Sequence, residues 1–130
     1  VELGGITLKA MLTPGHTKGC TTYTMDAQDE NRSYDVVIGC GYGAGGRVLV
    51  TDADYPDRAA DYMRTYALAR TLPADVFLGS HGHHWPLLDK LAKVGQGANP
   101  FIDATTLPNH VDVYDKQFRE ELAKQRAEAR

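Results

Sequence analysis

The stretch Thr13-Pro14-Gly15-His16-Thr17-Lys18-Gly19 constrains this chain most, because it is a tight corner between two strand-like runs. Ile6, Leu8, Ala10 and Leu12 alternate on the way in, and Cys20-Thr21-Thr22-Tyr23-Thr24-Met25 is rich in strand formers on the way out. Pro14 and Gly15 turn the chain and Gly19 closes the corner, so the backbone fixes where His16 points. A histidine held at a strand end is a candidate metal ligand or acid/base group, whereas an ordinary loop histidine only meets solvent.

The following segments alternate between sheet and helix signals. Asp26 to Ser33 is polar and reads as an exposed turn, and Tyr34-Asp35-Val36-Val37-Ile38-Gly39 reads as a buried strand. Cys40-Gly41-Tyr42-Gly43-Ala44-Gly45-Gly46 would let the backbone approach a neighbour closely. It lacks the GxGxxG spacing and a Walker lysine, which argues against a phosphate loop. Arg47-Val48-Leu49-Val50 reads as a short extra strand. Asp54-Tyr55-Pro56-Asp57 starts a helix over 57–72, with Ala59, Met63, Tyr66 and Ala67 on one face and Pro73 as its stop. Val76-Phe77-Leu78-Gly79 is a short apolar strand. Strand, helix, strand predicts an α/β fold with a mixed sheet of about five strands and helices on its outer face.

Ser80-His81-Gly82-His83-His84-Trp85 follows directly on that strand. Three histidines in four residues at a strand end could present ring nitrogens to Zn²⁺ at ~2.0–2.1 Å. With His16 at another strand end, a shared metal site becomes the favoured reading over caps and solvated rings. The two histidines are expected within roughly 8 Å of one another, given metals ~3.5–4 Å apart in a dinuclear site. After the cluster, Leu87, Leu88 and Leu91 read as the inward face of a short helix, and Gly95 to Pro100 breaks it. A last helix over 110–125 is capped by Pro108-Asn109 and carries the stripe Val111, Tyr114, Phe118, Leu122. Its charged end beyond Leu122 reads as a solvated face.

With 130 residues, 42% of them hydrophobic, the chain is one globular domain of ordinary size. A net charge of −3 argues against nucleic acid as a partner. No apolar run approaches the ~18 residues of a membrane span. Cys20 and Cys40 form no CxxC motif; they read as buried free thiols unless the fold brings their Cα atoms within about 7 Å.

Leu12-Thr13-Pro14-Gly15-His16-Thr17-Lys18-Gly19-Cys20-Thr21-Thr22-Tyr23 resembles the third histidine motif of metallo-β-lactamase-fold hydrolases, in the form of the third subclass of class B β-lactamases. Phe77-Leu78-Gly79-Ser80-His81-Gly82 resembles that family's last histidine motif, and Asn99-Pro100-Phe101-Ile102-Asp103 with the closing helix resembles its C-terminal end. The resemblance implies that residues 1–130 are the C-terminal half of an αββα sandwich. It implies two zinc ions per complete site, with His16 on the first and His81 on the second. A hydroxide held by the zincs would then open a β-lactam amide in the periplasm or outside the cell, without a serine or cysteine nucleophile.

Two departures from the family pattern shape the expectations. The motif His-x-His-x-Asp-His is absent from this sequence, so the chain supplies one ligand to each zinc where a catalytic site has three. Cys40-Gly41-Tyr42 stands where the subclass carries serines that contact the substrate carboxylate and where another subclass carries a cysteine ligand. Cys40, Tyr42, His83 and His84 are therefore candidate substrate or supporting residues. The expected partners are a β-lactam-like small molecule and, on an apolar sheet face, either the complementary half or a second copy of this chain. The same fold acting on lactones or thioesters, or a non-catalytic half that dimerises, are the alternatives.

Overall fold

The computed structural model of the chain describes residues 1–29 and 32–130. A two-stranded ribbon, β1 (Glu2–Leu3) and β2 (Ile6–Thr7), precedes a four-stranded sheet in the order β3-β4-β5-β6. The sheet strands are β3 (Lys9–Leu12), β4 (Thr21–Asp29), β5 (Arg32–Gly39) and β6 (Val76–Gly79). Three helices complete the chain: α1 (Arg58–Ala69), α2 (Leu87–Leu91) and α3 (Thr106–Glu128). β3, β4 and β5 pair antiparallel, and β5 pairs parallel with β6 across the α1 crossover, so the sheet is mixed as expected.

The core lies between one sheet face and the two long helices. Val37 and Phe77 from the sheet meet Tyr62, Tyr66 and Ala69 of α1 and Leu107, Val111, Phe118 and Leu122 of α3. Residues paired across the ladder place Ala10, Tyr23, Ile38 and Leu78 in one row on the opposite face. Leu12 and Tyr23 on that face remain 68% and 37% exposed.

Several local expectations change. The opening run divides, because Val1 and Leu8 exchange backbone hydrogen bonds of 2.7 and 2.8 Å that turn β2 away before β3 begins. The polar segment 26–33, expected as a turn, is strand at its described residues, with Ala27 opposite Tyr34 and Asp29 opposite Arg32; positions 30 and 31 of that expectation lie outside the described residues. No fifth strand forms over 47–50. Instead the Gln125 side chain pairs with that backbone, accepting from Leu49 N at 2.7 Å and donating to Arg47 O at 2.8 Å. An amide side chain can offer both groups a strand would, and it gives the charged end of α3 a packing role.

Helix faces also rotate. α1 buries Tyr62, Thr65, Tyr66 and Ala69, a 3-4-7 spacing, and leaves Met63 41% exposed. The tyrosines win because each buried hydroxyl reaches a backbone carbonyl, Tyr62 that of Gly43 and Tyr66 that of Tyr42. In α2 only Leu87 packs on the core; Leu88 and Leu91 are exposed at 74% and 49%. Lys90 turns inward instead, because Pro100 O and Asp103 accept from its ammonium at 2.8 and 3.0 Å. Asp103 also takes the Thr105 and Thr106 hydroxyls, so α3 starts at Thr106, ahead of the expected cap. Those hydroxyls and the Lys90 ammonium hold the Asp103 carboxyl well below the usual carboxylate range.

Candidate metal centre

Strand register decides which loops meet. Leu12 at the end of β3 pairs with Thr21 at the start of β4, and Tyr23 of β4 pairs with Ile38 near the end of β5. Gly39 in turn pairs with Gly79, the last residue of β6. The loops 13–20, 40–57 and 80–86 therefore all leave the same end of the sheet. That places His16, the glycine-rich segment and His81 at one edge.

The His16 corner is gripped by one face of α1. Arg58 donates to Gly15 O at 3.2 Å and His16 O at 3.3 Å while Asp52 holds its guanidinium at 2.7 Å. Thr65 donates to Pro14 O at 2.7 Å. Between them, the Tyr62 ring packs so close under Gly15 that a Cβ there would lie 2.7 Å from it, and φ +134° disfavours a side chain in any case. Residues 58, 62 and 65 share a helix face at spacings of four and three, a different face from the one read through Ala59, Met63, Tyr66 and Ala67.

The His16 ring has both nitrogens engaged. Nδ1 lies 2.9 Å from Gly43 O, so it carries the proton and donates. Nε2 then holds the lone pair and accepts from Arg47 Nη2 at 2.9 Å. Gly43 O also accepts from the Tyr62 hydroxyl at 2.7 Å. The ring lies over Gly41, where a Cβ would come within 2.9 Å of His16 Cγ. The expected close backbone approach of the glycine-rich loop is thus to His16 itself.

The histidine cluster forms at the facing loop. Ring centroids are 5.6 Å apart for His81 and His83, 5.1 Å for His81 and His84, and 4.0 Å for His83 and His84. His84 is pushed below its ordinary pKa by burial first and then by His83, His81 and His16, which ties the two loops together electrostatically.

Two candidates move elsewhere. Cys40 is joined to Cys20 in a disulfide with Cα atoms 5.7 Å apart, in place of the expected free thiols. Pairing brings the end of β5 against the start of β4, and it leaves Cys40 no thiolate to offer a metal. Tyr42 is 2% exposed, with its ring against Tyr66, Phe77 and His110. Burial raises its hydroxyl pKa, and it is a core residue at this edge.

His110 is the histidine that sequence reading left out. Its ring sits 4.8 Å from that of Phe77 and 4.7 Å from that of Tyr114. Burial pushes its pKa from 6.5 down to about 4, and the neighbouring His84 adds to the effect. The unfolded chain therefore takes up this proton first. His110's contribution to stability is complete above about pH 6.5 and is lost as pH falls toward about 4. Urea unfolding of His110→Phe should show a weaker loss of stability than the parent chain across that window. An unchanged slope would contradict the assignment.

Tested as a zinc site, the donors fit only in part. His16 has part of the arrangement a ligand needs, with Nδ1–H anchored on a carbonyl, while its Nε2 lone pair is taken by the Arg47 guanidinium. Among the described residues, however, no three His, Cys, Asp or Glu side chains converge on a common point. A zinc held for hydrolysis takes three protein ligands, more than the described residues bring together.

No protein-family model matches the chain. Solved structures do. BJP-1, a subclass B3 metallo-β-lactamase of Bradyrhizobium japonicum, shares 34% identity with a TM-score of 0.92 over 100% of this chain and 50% of its own. The FEZ-1 metallo-β-lactamase of Legionella gormanii shares 41% at a TM-score of 0.91, over 97% of this chain and 49% of its own. MEM-A1, a subclass B3 metallo-β-lactamase from a soil metagenome library, shares 25% at a TM-score of 0.88, over 98% and 50%. Together with the two histidine loops at one sheet edge, these likenesses mean that the chain belongs to the metallo-β-lactamase superfamily, beside its subclass B3 members, and spans about half the length of the chains it matches.

Proposed function

We propose that residues 1–130 are the C-terminal half of a zinc-dependent hydrolase of the β-lactamase type, with His16 serving the first zinc and His81 the second. The observation that carries this reading is the anchored His16, whose Nδ1–H is committed to Gly43 O at 2.9 Å at the sheet edge that also bears His81–His84. Bound zinc would supply a hydroxide at neutral pH and polarise the lactam carbonyl. This chain's own part is to fix the tautomer and direction of His16, through Gly43, Tyr62 and the α1 face. The remaining ligands come from the complementary half, which seats on the apolar row that leaves Leu12 and Tyr23 exposed. The Cys20–Cys40 disulfide favours an oxidising compartment such as the periplasm.

The test is hydrolysis of a chromogenic cephalosporin by the purified chain, alone and with a half carrying His-x-His-x-Asp-His, with zinc measured by elemental analysis. The chain alone should turn over at the buffer rate, and the pair should hydrolyse the cephalosporin in a chelator-sensitive way. Chelator-sensitive turnover by the monomeric chain would contradict the proposal. A pair that opens lactones or thioesters but no β-lactam would keep the zinc centre and change the substrate.

A further inference from the structure

Helix α3 carries two faces. Leu107, Val111, Phe118 and Leu122 close the core. Beside them Thr106, Asn109, His110 and Val113 form a second stripe at positions i, i+3, i+4 and i+7. That stripe and the loop ahead of α2 bound a pocket of about 270 Å³. Of its lining, only His84 also belongs to the histidine cluster.

The walls are mostly rings. His84 and Trp85 come from the loop, and His110 and Tyr114 from α3. The His110 and Tyr114 rings meet edge to face at 4.7 Å, and those of His84 and Tyr114 at 6.2 Å. Aromatic walls select a flat aromatic body, which can stack on their faces or meet their edges. Volume sets its size. A closed apolar cavity of ~150 Å³ holds benzene, and drug-sized ligands take roughly 300–1,000 Å³, so two fused rings fit here.

The lining offers no unpaired charge. Asp103 accepts from the Lys90 ammonium at 3.0 Å and from the Thr105 and Thr106 hydroxyls. Burial keeps His110 uncharged at neutral pH. A charged ligand would lose its water with no opposite charge to meet it. A neutral ligand has a partner in Asn109, whose exposed side-chain amide is bonded to no protein group among the described residues. That amide offers a carbonyl and an NH₂, so an N–H beside a C=O on the ligand matches both.

We propose that this pocket binds a neutral, flat, two-ring heteroaromatic compound with adjacent N–H and C=O groups, its rings between the aromatic side chains and that edge on Asn109. Because His84 serves both, an occupant sits one side chain from the histidine cluster. The site stands whether or not His16 and His81 ligate zinc.

The probe is quinolin-2-one, with binding read by titration calorimetry and by proton–nitrogen correlation spectra. Trp85 is the chain's one tryptophan and its Nε1 is buried without a partner, so a single indole resonance reports on the wall. Quinolin-2-one should move that resonance and the Asn109 side-chain amide, with a Kd on the order of 0.1–1 mM. Asn109→Leu changes an exposed helical position, so it should stay folded by circular dichroism and bind about fivefold weaker. N-methylquinolin-2-one, which lacks the N–H, should lose about fivefold on the parent and nothing further on Asn109→Leu. Quinoline-2-carboxylate has the same rings with a charge and should bind about tenfold weaker than quinolin-2-one.

No saturable binding up to the solubility of quinolin-2-one would overturn the proposal. So would binding that leaves the Trp85 indole and Asn109 amide resonances unmoved, or a carboxylate that binds as tightly. Equal losses for the N-methyl probe on the parent and on Asn109→Leu would overturn the seat on Asn109, and with it the stated ligand class.

Discussion

Tyr62→Ala is expected to cost about 3–5 kcal/mol of stability and to release the His16 corner. Tyr62 is fully buried, its ring centroid 5.3 Å from that of Phe118 and 5.8 Å from that of Tyr66. Truncation leaves a cavity at the junction of α1, α3 and the sheet edge. It also removes the surface on which Gly15 rests and one of two donors to Gly43 O. Tyr62→Phe keeps the ring and should lose only about 1 kcal/mol, because His16 still donates to that carbonyl. Urea unfolding separates the two. Tyr62→Ala within about 1 kcal/mol of the parent would mean that α1 does not set this corner.

Removing the disulfide is expected to have the second largest effect, about 3 kcal/mol for a loop closed over 20 residues. The entropy of the unfolded chain is the main source in that account, so Cys40→Ser and Cys20→Ser should lose similar amounts. The local consequence follows from position. Cys20 closes the His16 corner, where Thr13 N donates to Cys20 O at 2.8 Å, and Cys40 starts the segment whose Gly41 underlies the His16 ring. Amide exchange at residues 15–19 and 41–47 should accelerate in either variant more than in α3. Equal protection in the parent and both variants would contradict a structural role for the bond.

Local chemistry made part of this architecture legible in the sequence. Pro14, Gly15 and Gly19 announced the corner, and the run Val76–Gly79 announced the strand that launches the histidine cluster. What stayed hidden depends on partners far along the chain. Gln125 replaces a strand for Leu49 across 76 positions, and Lys90 is buried because Asp103 and Pro100 wait for it. Tyrosine hydroxyls chose the α1 face through carbonyls 19 and 24 residues away, which hydrophobic periodicity does not register. The thiols of Cys20 and Cys40 meet only because β4 and β5 pair in one register. His110 showed no motif, and only its burial against Phe77 sets it apart.

The same distinction separates the two halves of the functional reading. Orientation of His16 is complete within this chain, from Tyr62 through Gly43 to Nδ1. For a metal centre, no three donors converge among the described residues. The most direct measurement is a crystal structure of the zinc-loaded pair formed with a half carrying His-x-His-x-Asp-His, with metals located by anomalous scattering. It should place His16 Nε2 and a His81 ring nitrogen each at about 2.0–2.1 Å from a zinc ion, on two metals ~3.5–4 Å apart. Zinc bound away from both histidines, with His16 Nε2 still accepting from Arg47, would contradict the account.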